Sequence, residues 1–417
     1  MDTIALTMRE QQRVAVIERV FRGELTMAEA AMVLGVSERQ SFRIKARIGK
    51  EGVRGVIHGN RGRSSPRKLP VKTRHRIVAL ARTKYRGFND HHLTEKLAEV
   101  EGIPMSRETV RQILRGEGLA SPRKRRPPRH RARRVRRAAE GMLLQVDGSS
   151  HDWLEGRGPA LTLVGAIDDA TGQVPWAVFV DHETTWAYLQ LFWRIGMKQG
   201  LPQAVYADRH SIFWTDREPT LEEQLAGQRP LTQVGRALHE LGITLIPAGS
   251  PQAKGRVERL WGTFQDRLVS ELRLAGATTR PEAQAVLARF LPSYNRRFAR
   301  PAAEATPAWR GVDRPRLTHS LCFKYRRVVA KDNTVAFHRV VLPLPKRSPF
   351  VSWAHKTVEV HVLLDGAVEI FSQNERLARF DAKTTRTSGL HRTNGRREVS
   401  TYGPDTTTAA QRYAIAP

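Results

Sequence analysis

Apolar positions recur at two different periods along this chain, and the change of period divides it. Between Met8 and Arg22, Val14, Ile17, Val20 and Phe21 fall at helical spacing, and Gly23 ends the run. Thr26, with Glu29 three residues on, has the form of a capping box opening a second helix whose apolar positions are Ala30, Val33 and Leu34. Gly35-Val36 makes a tight turn. Ser37 caps a third helix with Gln40 at its third position, and Phe42, Ile44 and Ile48 are available for packing. Helix, short glycine-containing turn, helix predicts a helix-turn-helix within residues 1–60. A Gly-, Ser-, Pro- and Arg-rich stretch over 60–70 reads as a linker. A second helical set fills 70–120: one helix with Ile77 and Leu80, another over 91–100 begun by Asn89-Asp90, and a third from Ser106 with Val110, Ile113 and Leu114 inward.

From Met142 the period shortens towards two. MLLQVDGS, ALTLVGAIDDATG and VPWAVFV read as consecutive strands, the last two joined by a turn at Asp169–Gly172. TTWAYLQLFWRIGMKQG is a helix, QAVYADR a fourth strand, LTQVGRALHELG a helix and ITLIPAG a fifth strand. The stretch PQAKGRVERLWGTFQDRL then runs from a loop into a helix with Val257, Leu260, Trp261, Phe264 and Leu268 in one apolar stripe. Three antiparallel strands, helix, strand, helix, strand, helix is the order of an RNase H-like α/β domain over 139–300, although the alternation alone allows other α/β folds. Residues 281–309 read as helical. Short strands at Cys322–Val329, Thr334–Leu342, Thr357–Leu364 and Ala367–Phe371 predict a small β-barrel over 315–382. The Thr-, Arg- and Gly-rich tail, 383–417, reads as disordered. The fold class expected is therefore multidomain: all-α units, a central α/β core and a small barrel.

Charge narrows what such a chain can bind. Its 417 residues include 70 Lys and Arg against 41 Asp and Glu, a formal charge of +29. So basic a fold repels itself unless a polyanion neutralises it, which makes nucleic acid the leading partner and binding steeply salt-dependent. The helix from Ser37 carries Arg39, Arg43, Lys45 and Arg47, suited to a DNA groove; that from Ser106 turns Arg107, Arg111 and Arg115 outward. Between the helical sets and the α/β region, 121–138 is a basic linker; ten of its residues up to Arg137 are Arg or Lys, which suits phosphate contact rather than base reading. A membrane partner is disfavoured: no apolar run approaches the roughly 18 residues needed to span a bilayer. No leader pattern opens the chain, and Cys322 is the single cysteine, which excludes an internal disulfide and fits a reducing cytoplasm.

Three acids stand on apolar elements in the α/β region: Asp147 in the first strand, Asp208 closing the fourth, and Glu258 at the edge of the final helix's apolar stripe. Taken singly, each is an ordinary solvated charge. As an ordered set on a sheet and a helix they could hold a pair of divalent metals, and hard oxygen ligands favour Mg²⁺, with Mn²⁺ as a substitute. Asp168 and Asp169 sit where a β-turn wants Asp. His151 reads as a surface histidine, His210 as a better neighbour for a phosphate, and Trp153, Trp176 and Trp186 as core. Lys254 and Arg256 precede the last helix and could grip phosphate near its N-terminus.

The runs Val146-Asp147-Gly148-Ser149, Ala166-Ile167-Asp168-Asp169-Ala170-Thr171, Tyr206-Ala207-Asp208-Arg209-His210 and Pro251-Gln252-Ala253-Lys254-Gly255-Arg256-Val257-Glu258, with Tyr294-Asn295 and Thr306-Pro307 downstream, resemble a DDE transposase of the retroviral-integrase superfamily. Among these the pattern is most similar to bacterial insertion-sequence transposases of the ISNCY type, and the resemblance covers essentially the whole chain. It implies that Asp147, Asp208 and Glu258 are the metal-binding triad. It implies also that the reaction is strand cleavage at element ends followed by strand transfer, on double-stranded DNA bound through terminal inverted repeats. Holding two ends implies at least a dimer on DNA. Two departures stand out: Arg209-His210 where many integrases have Asn-Gly, and a long interval to Glu258 that includes Ser211–Pro230, read as an inserted surface loop. The rival readings are a catalytically inactive DNA-binding protein derived from a transposase, which predicts end binding without cleavage, and an RNase H-like nuclease, which predicts cleavage without joining.

Overall fold

The computed structural model describes residues 5–61, 69–122, 134–225, 227, 229–248, 255–338, 340–345 and 352–381. The chain divides into two compact units between Arg76 and Ile77. The smaller holds α1 (Met8–Phe21), α2 (Met27–Leu34) and α3 (Glu38–Glu51), followed by a 3-10 turn at Gly52–Val56. The capping box at α2 forms: the Glu29 amide donates to Thr26 Oγ1 at 3.3 Å and the Thr26 amide to Glu29 Oε2 at 2.7 Å, satisfying amides that a helix N-terminus otherwise leaves unpaired. The same device at Thr7 and Glu10 starts α1. Ile17, Ile44, Ile48 and Val56 make the core. Phe42, expected to pack, is exposed, because the face of α3 turned inward is that of Ser41, Ile44 and Ile48.

α4 (Val71–Arg82) spans the boundary between the units, and the larger unit continues with α5 (Asp90–Glu99) and α6 (Arg107–Gly116). Then come β1 (Leu143–His151), β2 (Leu161–Asp168), β3 (Ala177–Val180), α7 (Thr185–Lys198), β4 (Ala204–Ala207), α8 (Leu221–Leu225), α9 (Gln233–Glu240), β5 (Thr244–Pro247), α10 (Gly255–Leu274) and α11 (Arg280–Phe298). The expected succession of strands and helices is present, with the short α8 added. The five strands form one mixed sheet in the order β3-β2-β1-β4-β5, antiparallel on the β2 side of β1 and parallel on the β4 side. Alternation along β1 sorts the two faces. Leu144 and Val146 join Tyr188, Leu191, Phe192 and Leu238 of α7 and α9 in one core, while Leu163, Ile167 and Phe179 meet Val257, Trp261, Phe264 and Leu268 of α10 in the other. The segment read as an inserted surface loop is partly core: Ile212 and Phe213 are buried, and the Phe213 ring packs edge-on against Tyr188 at 4.6 Å.

The last part holds α12 (Arg314–Ser320), β6 (Phe323–Val328), β7 (Thr334–Phe337), β8 (Val340–Pro343), β9 (Thr357–Val362), β10 (Val368–Ser372) and β11 (Glu375–Phe380). The barrel expected here is not formed among the described residues. Four strands make an open sheet, β11-β10-β9-β6, and β7 pairs with β8 alone. Closure would require β6 and β11 to find second partners, and each has one. The stretch 334–342, read as a single strand, is this hairpin, with Phe337 opposite Val340. The open sheet instead shares its core with α7 and α9, through Phe323, Tyr325, Val360 and Ile370. The expected tail lies outside the described residues, apart from its approach. No helix among the described residues is long and apolar enough to cross a membrane.

Candidate active site

β1 and β4 run parallel with Leu143 opposite Ala204, Leu144 opposite Val205 and Gln145 opposite Tyr206. Asp147 and Asp208 each lie two residues beyond the last of these pairs, Asp147 within β1 and Asp208 just past the end of β4. Asp208 Oδ1 accepts the His210 amide at 3.3 Å, a local turn that bends the chain away after β4.

α10 is laid along β1 by three contacts in step. The Val257 amide donates to Gln145 Oε1 at 3.3 Å, Trp261 Nε1 to Asp147 Oδ2 at 3.1 Å, and Gln265 Nε2 to Ser149 Oγ at 3.3 Å. Four helical residues rise about 6 Å and two strand residues about 6.6 Å, so positions 257, 261 and 265 keep pace with 145, 147 and 149. Room for the Trp261 ring comes from Gly165, which stands opposite Asp147 on β2; a Cβ there would lie 3.0 Å from the ring. Glu258, itself exposed, sits in the first turn of α10, one turn before Trp261. Among the described residues no three His, Cys, Asp or Glu side chains are drawn into a ready metal-holding group. The fold therefore puts Asp147 and Asp208 on neighbouring strands and Glu258 on the helix that bonds Asp147, without gathering all three carboxylates.

Behind this site lies a buried polar relay. Asp169, with no side-chain exposure, takes Gln145 Nε2 at 2.9 Å, Arg256 Nη1 at 2.9 Å, the Arg137 amide at 2.9 Å, and Arg134. Asp168 beside it accepts from the Thr171 amide at 2.7 Å, Thr171 Oγ1 at 2.8 Å and the Gly141 amide at 2.9 Å. Burial raises the Asp168 carboxyl above the usual range against those donors. Both aspartates brace the β2–β3 turn. Arg256, expected to grip phosphate, is placed instead against Asp169, 14% exposed, and burial lowers its affinity for a proton. Lys254 lies outside the described residues, as does the basic linker over 123–133.

A second set of contacts ties α10 to α5. Asn89 Nδ2 reaches Asp266 Oδ2 at 2.6 Å, His92 Nε2 and Lys96 Nζ reach Glu271 at 2.7 Å each, and Arg267 reaches Glu95 at 2.7 Å, with Arg297 also on Glu95. Burial opposes ionisation of Glu271, but the bonds from His92 and Lys96 outweigh it and hold its carboxyl below the usual range; burial also lowers His92. Groups lowered in the folded state bind protons more readily once unfolded. Stability from Glu271 is therefore present above its unfolded value of 4.5 and lost as pH falls through the folded one, and His92 adds a loss of the same sign below 6.5. Denaturant titrations at pH 5 and pH 3 bracket the Glu271 part of this acid loss, which should be smaller in Glu271→Gln; an equal loss over that range in the variant would clear Glu271 of it.

No family model matches this chain. It is 37% identical over 372 residues to y4bF of Sinorhizobium fredii, which is named as a transposase; the match takes in 89% of this chain and 80% of that one. It is 32% identical over 329 residues to the transposase for insertion sequence IS1202 of Streptococcus pneumoniae, covering 70% of this chain and 69% of the relative. The chain belongs to the transposase family. A solved simian T-cell lymphotropic virus intasome, in complex with a PP2A regulatory subunit, aligns with 74% of this transposase and 97% of its own chain; at a TM-score of 0.31 and 15% identity that likeness carries no argument.

The remaining expected contact residues of the transposase are placed as follows. Arg39 and Arg43 are exposed on α3, while Arg47 donates to the Ile57 carbonyl at 2.8 Å. On α6, Arg107 is exposed and Arg111 pairs with Glu108 at 2.7 Å. Trp153 and Trp186 are buried. Sequence reasoning passed over Gln145 and Trp261. The signal for the first is a polar residue at an inward strand position two before Asp147. For the second it is an indole, whose N–H needs a partner when buried, within the stripe that faces the strands. Trp261→Phe keeps the ring packing and removes the donor from Asp147, so strand joining should fall about tenfold or more, the value of one hydrogen bond to a charged group, with the unfolding midpoint little changed. An unchanged joining rate would show that Asp147 needs no such anchor.

Proposed function

We propose that this transposase binds the terminal inverted repeats of an insertion sequence and carries out DNA strand cleavage and strand transfer with Asp147, Asp208 and Glu258 as a DDE triad on an RNase H-like sheet. The parallel pairing of β1 with β4, beyond which Asp147 and Asp208 each follow by two residues, carries this reading, supported by Trp261 of α10 bonding Asp147 one helical turn from Glu258. The donor set, carboxylate oxygens alone, suits Mg²⁺, with Mn²⁺ as a substitute. Bound there, such an ion supplies charge neutralisation at the phosphate and activation of a water or a 3′-hydroxyl. The chain's own part is positional. Trp261 fixes the orientation of Asp147, Gln145 and Asp169 fix the start of α10, and the α5 contacts fix its far half, so Glu258 is carried on a rigid helix.

In this reading α2 and α3 form a helix-turn-helix with Arg39 and Arg43 towards the DNA groove, α6 offers Arg107 as a second contact, and Lys254 and the basic linker follow the phosphates. Two element ends held together call for at least a dimer on DNA, working in the bacterial cytoplasm. The test is purified protein with Mg²⁺ and labelled DNA carrying the flanking genomic ends. Joining of those ends to a target plasmid, lost in Glu258→Gln, is the expected result. End binding without cleavage in either protein would favour the inactive DNA-binding alternative, and cleavage without joining a nuclease.

A further inference from the structure

A further carboxylate lies against β1 at the residue after Asp147, from the other side of the sheet. Glu183 precedes α7, and its side chain occupies the space that a side chain on residue 148 would fill: a Cβ on Gly148 would lie 2.5 Å from Glu183 Oε2 and 2.7 Å from its Cδ. A side chain at 148, the residue directly after Asp147, would therefore displace the Glu183 carboxylate. The carboxylate is held in place by Tyr188, one turn into α7, whose hydroxyl donates to Glu183 Oε1. Tyr188 is itself fully buried, and Phe213, from the segment following Asp208, packs edge-on against its ring. One tyrosine therefore connects the β1 segment bearing Asp147, the carboxylate behind it and the chain leaving Asp208.

We propose that Glu183, clamped by Tyr188 against Gly148, is a positioning residue of the acidic site, which fixes the β1 backbone at Asp147 and adds the negative charge that strengthens divalent-cation binding there. Burial, then the charge of Glu183, then those of Asp147 and Asp208 push the Tyr188 hydroxyl well above the usual phenol range, so it remains a donor to Glu183. The inference rests on the reading of Asp147 and Asp208 as cation ligands.

The experiment is a titration of the full-length protein with Mn²⁺ alone, without DNA, following free Mn²⁺ by electron paramagnetic resonance. Wild type is compared with Glu183→Gln, Gly148→Ala and Asp147→Ala, and each unfolding midpoint is taken in chelator. Glu183→Gln keeps an acceptor for Tyr188 and removes the charge. It should raise the Mn²⁺ needed for half-occupancy about three- to tenfold, the effect of one charge at short range under protein screening, with the midpoint in chelator unmoved. Gly148→Ala keeps the charge and displaces it, and should shift occupancy in the same direction by about twofold or more. An unshifted titration for Glu183→Gln, with binding lost in Asp147→Ala, would overturn the role of Glu183 alone. If Glu183→Gln does not fold, an unshifted titration in Gly148→Ala has the same force. Binding retained in Asp147→Ala would overturn the underlying assignment of the cation site.

Discussion

Asp147→Ala is expected to lower strand joining by roughly a thousandfold or more while end binding stays within about threefold of wild type, because a lost ligand charge removes several kcal/mol of transition-state stabilisation and each 1.4 kcal/mol is tenfold in rate. Asp208→Ala and Glu258→Ala should act alike, since residues that work as one unit each cost nearly the whole effect. Glu258 gives the cleanest form of the test. It is exposed on the first turn of α10, so its replacement should change stability by no more than about 0.5 kcal/mol, and lost joining is then chemical rather than structural. For Asp147 the isosteric Asp147→Asn keeps an acceptor for Trp261 and separates orientation from charge. Joining that survives in any one alanine variant would remove that residue from the triad.

The second large effect belongs to a residue distant from the chemistry. Asp169 is fully buried and takes Arg256, Arg134, Gln145 and the Arg137 amide. Asp169→Ala leaves a guanidinium that is 14% exposed with its buried counter-charge gone and frees Gln145, which caps α10 through the Val257 amide. Breaking a buried pair from one side costs about 3–5 kcal/mol, more than a surface bridge by severalfold, and urea denaturation of the full chain measures it. Joining should fall as well, because the start of α10 loses its anchor. A loss below about 1 kcal/mol would mean that solvent already screens Arg256. Asp169→Asn, which retains one accepting oxygen, should lie between.

These two cases show what kind of information the sequence carried. Period-two alternation and helical stripes located the five strands and the helices of the α/β region, because a strand with one face on each core, or a helix with one buried side, must show its period in residue type. The capping box at Thr26 was legible for the same local reason: donor and acceptor are three residues apart. The barrel was not legible. Alternation in the C-terminal strands states that each has an inward face, but not which strand is its neighbour, and the structure gives that face to α7 and α9 rather than to a closed wall.

The identities of Asp147, Asp208 and Glu258 as candidates, the net charge of +29 and the order of elements were determined by the sequence itself, since each depends on residue type and local spacing. Tertiary structure alone decided the rest. It set the parallel register beside β1, turned Arg256 inward to Asp169, gave the Trp261 indole to Asp147, and drove Glu183 against Gly148. Each of these joins residues from 35 to 114 positions apart, and such contacts depend on strand pairing and on the packing of helices across a sheet, which no local pattern of side chains records.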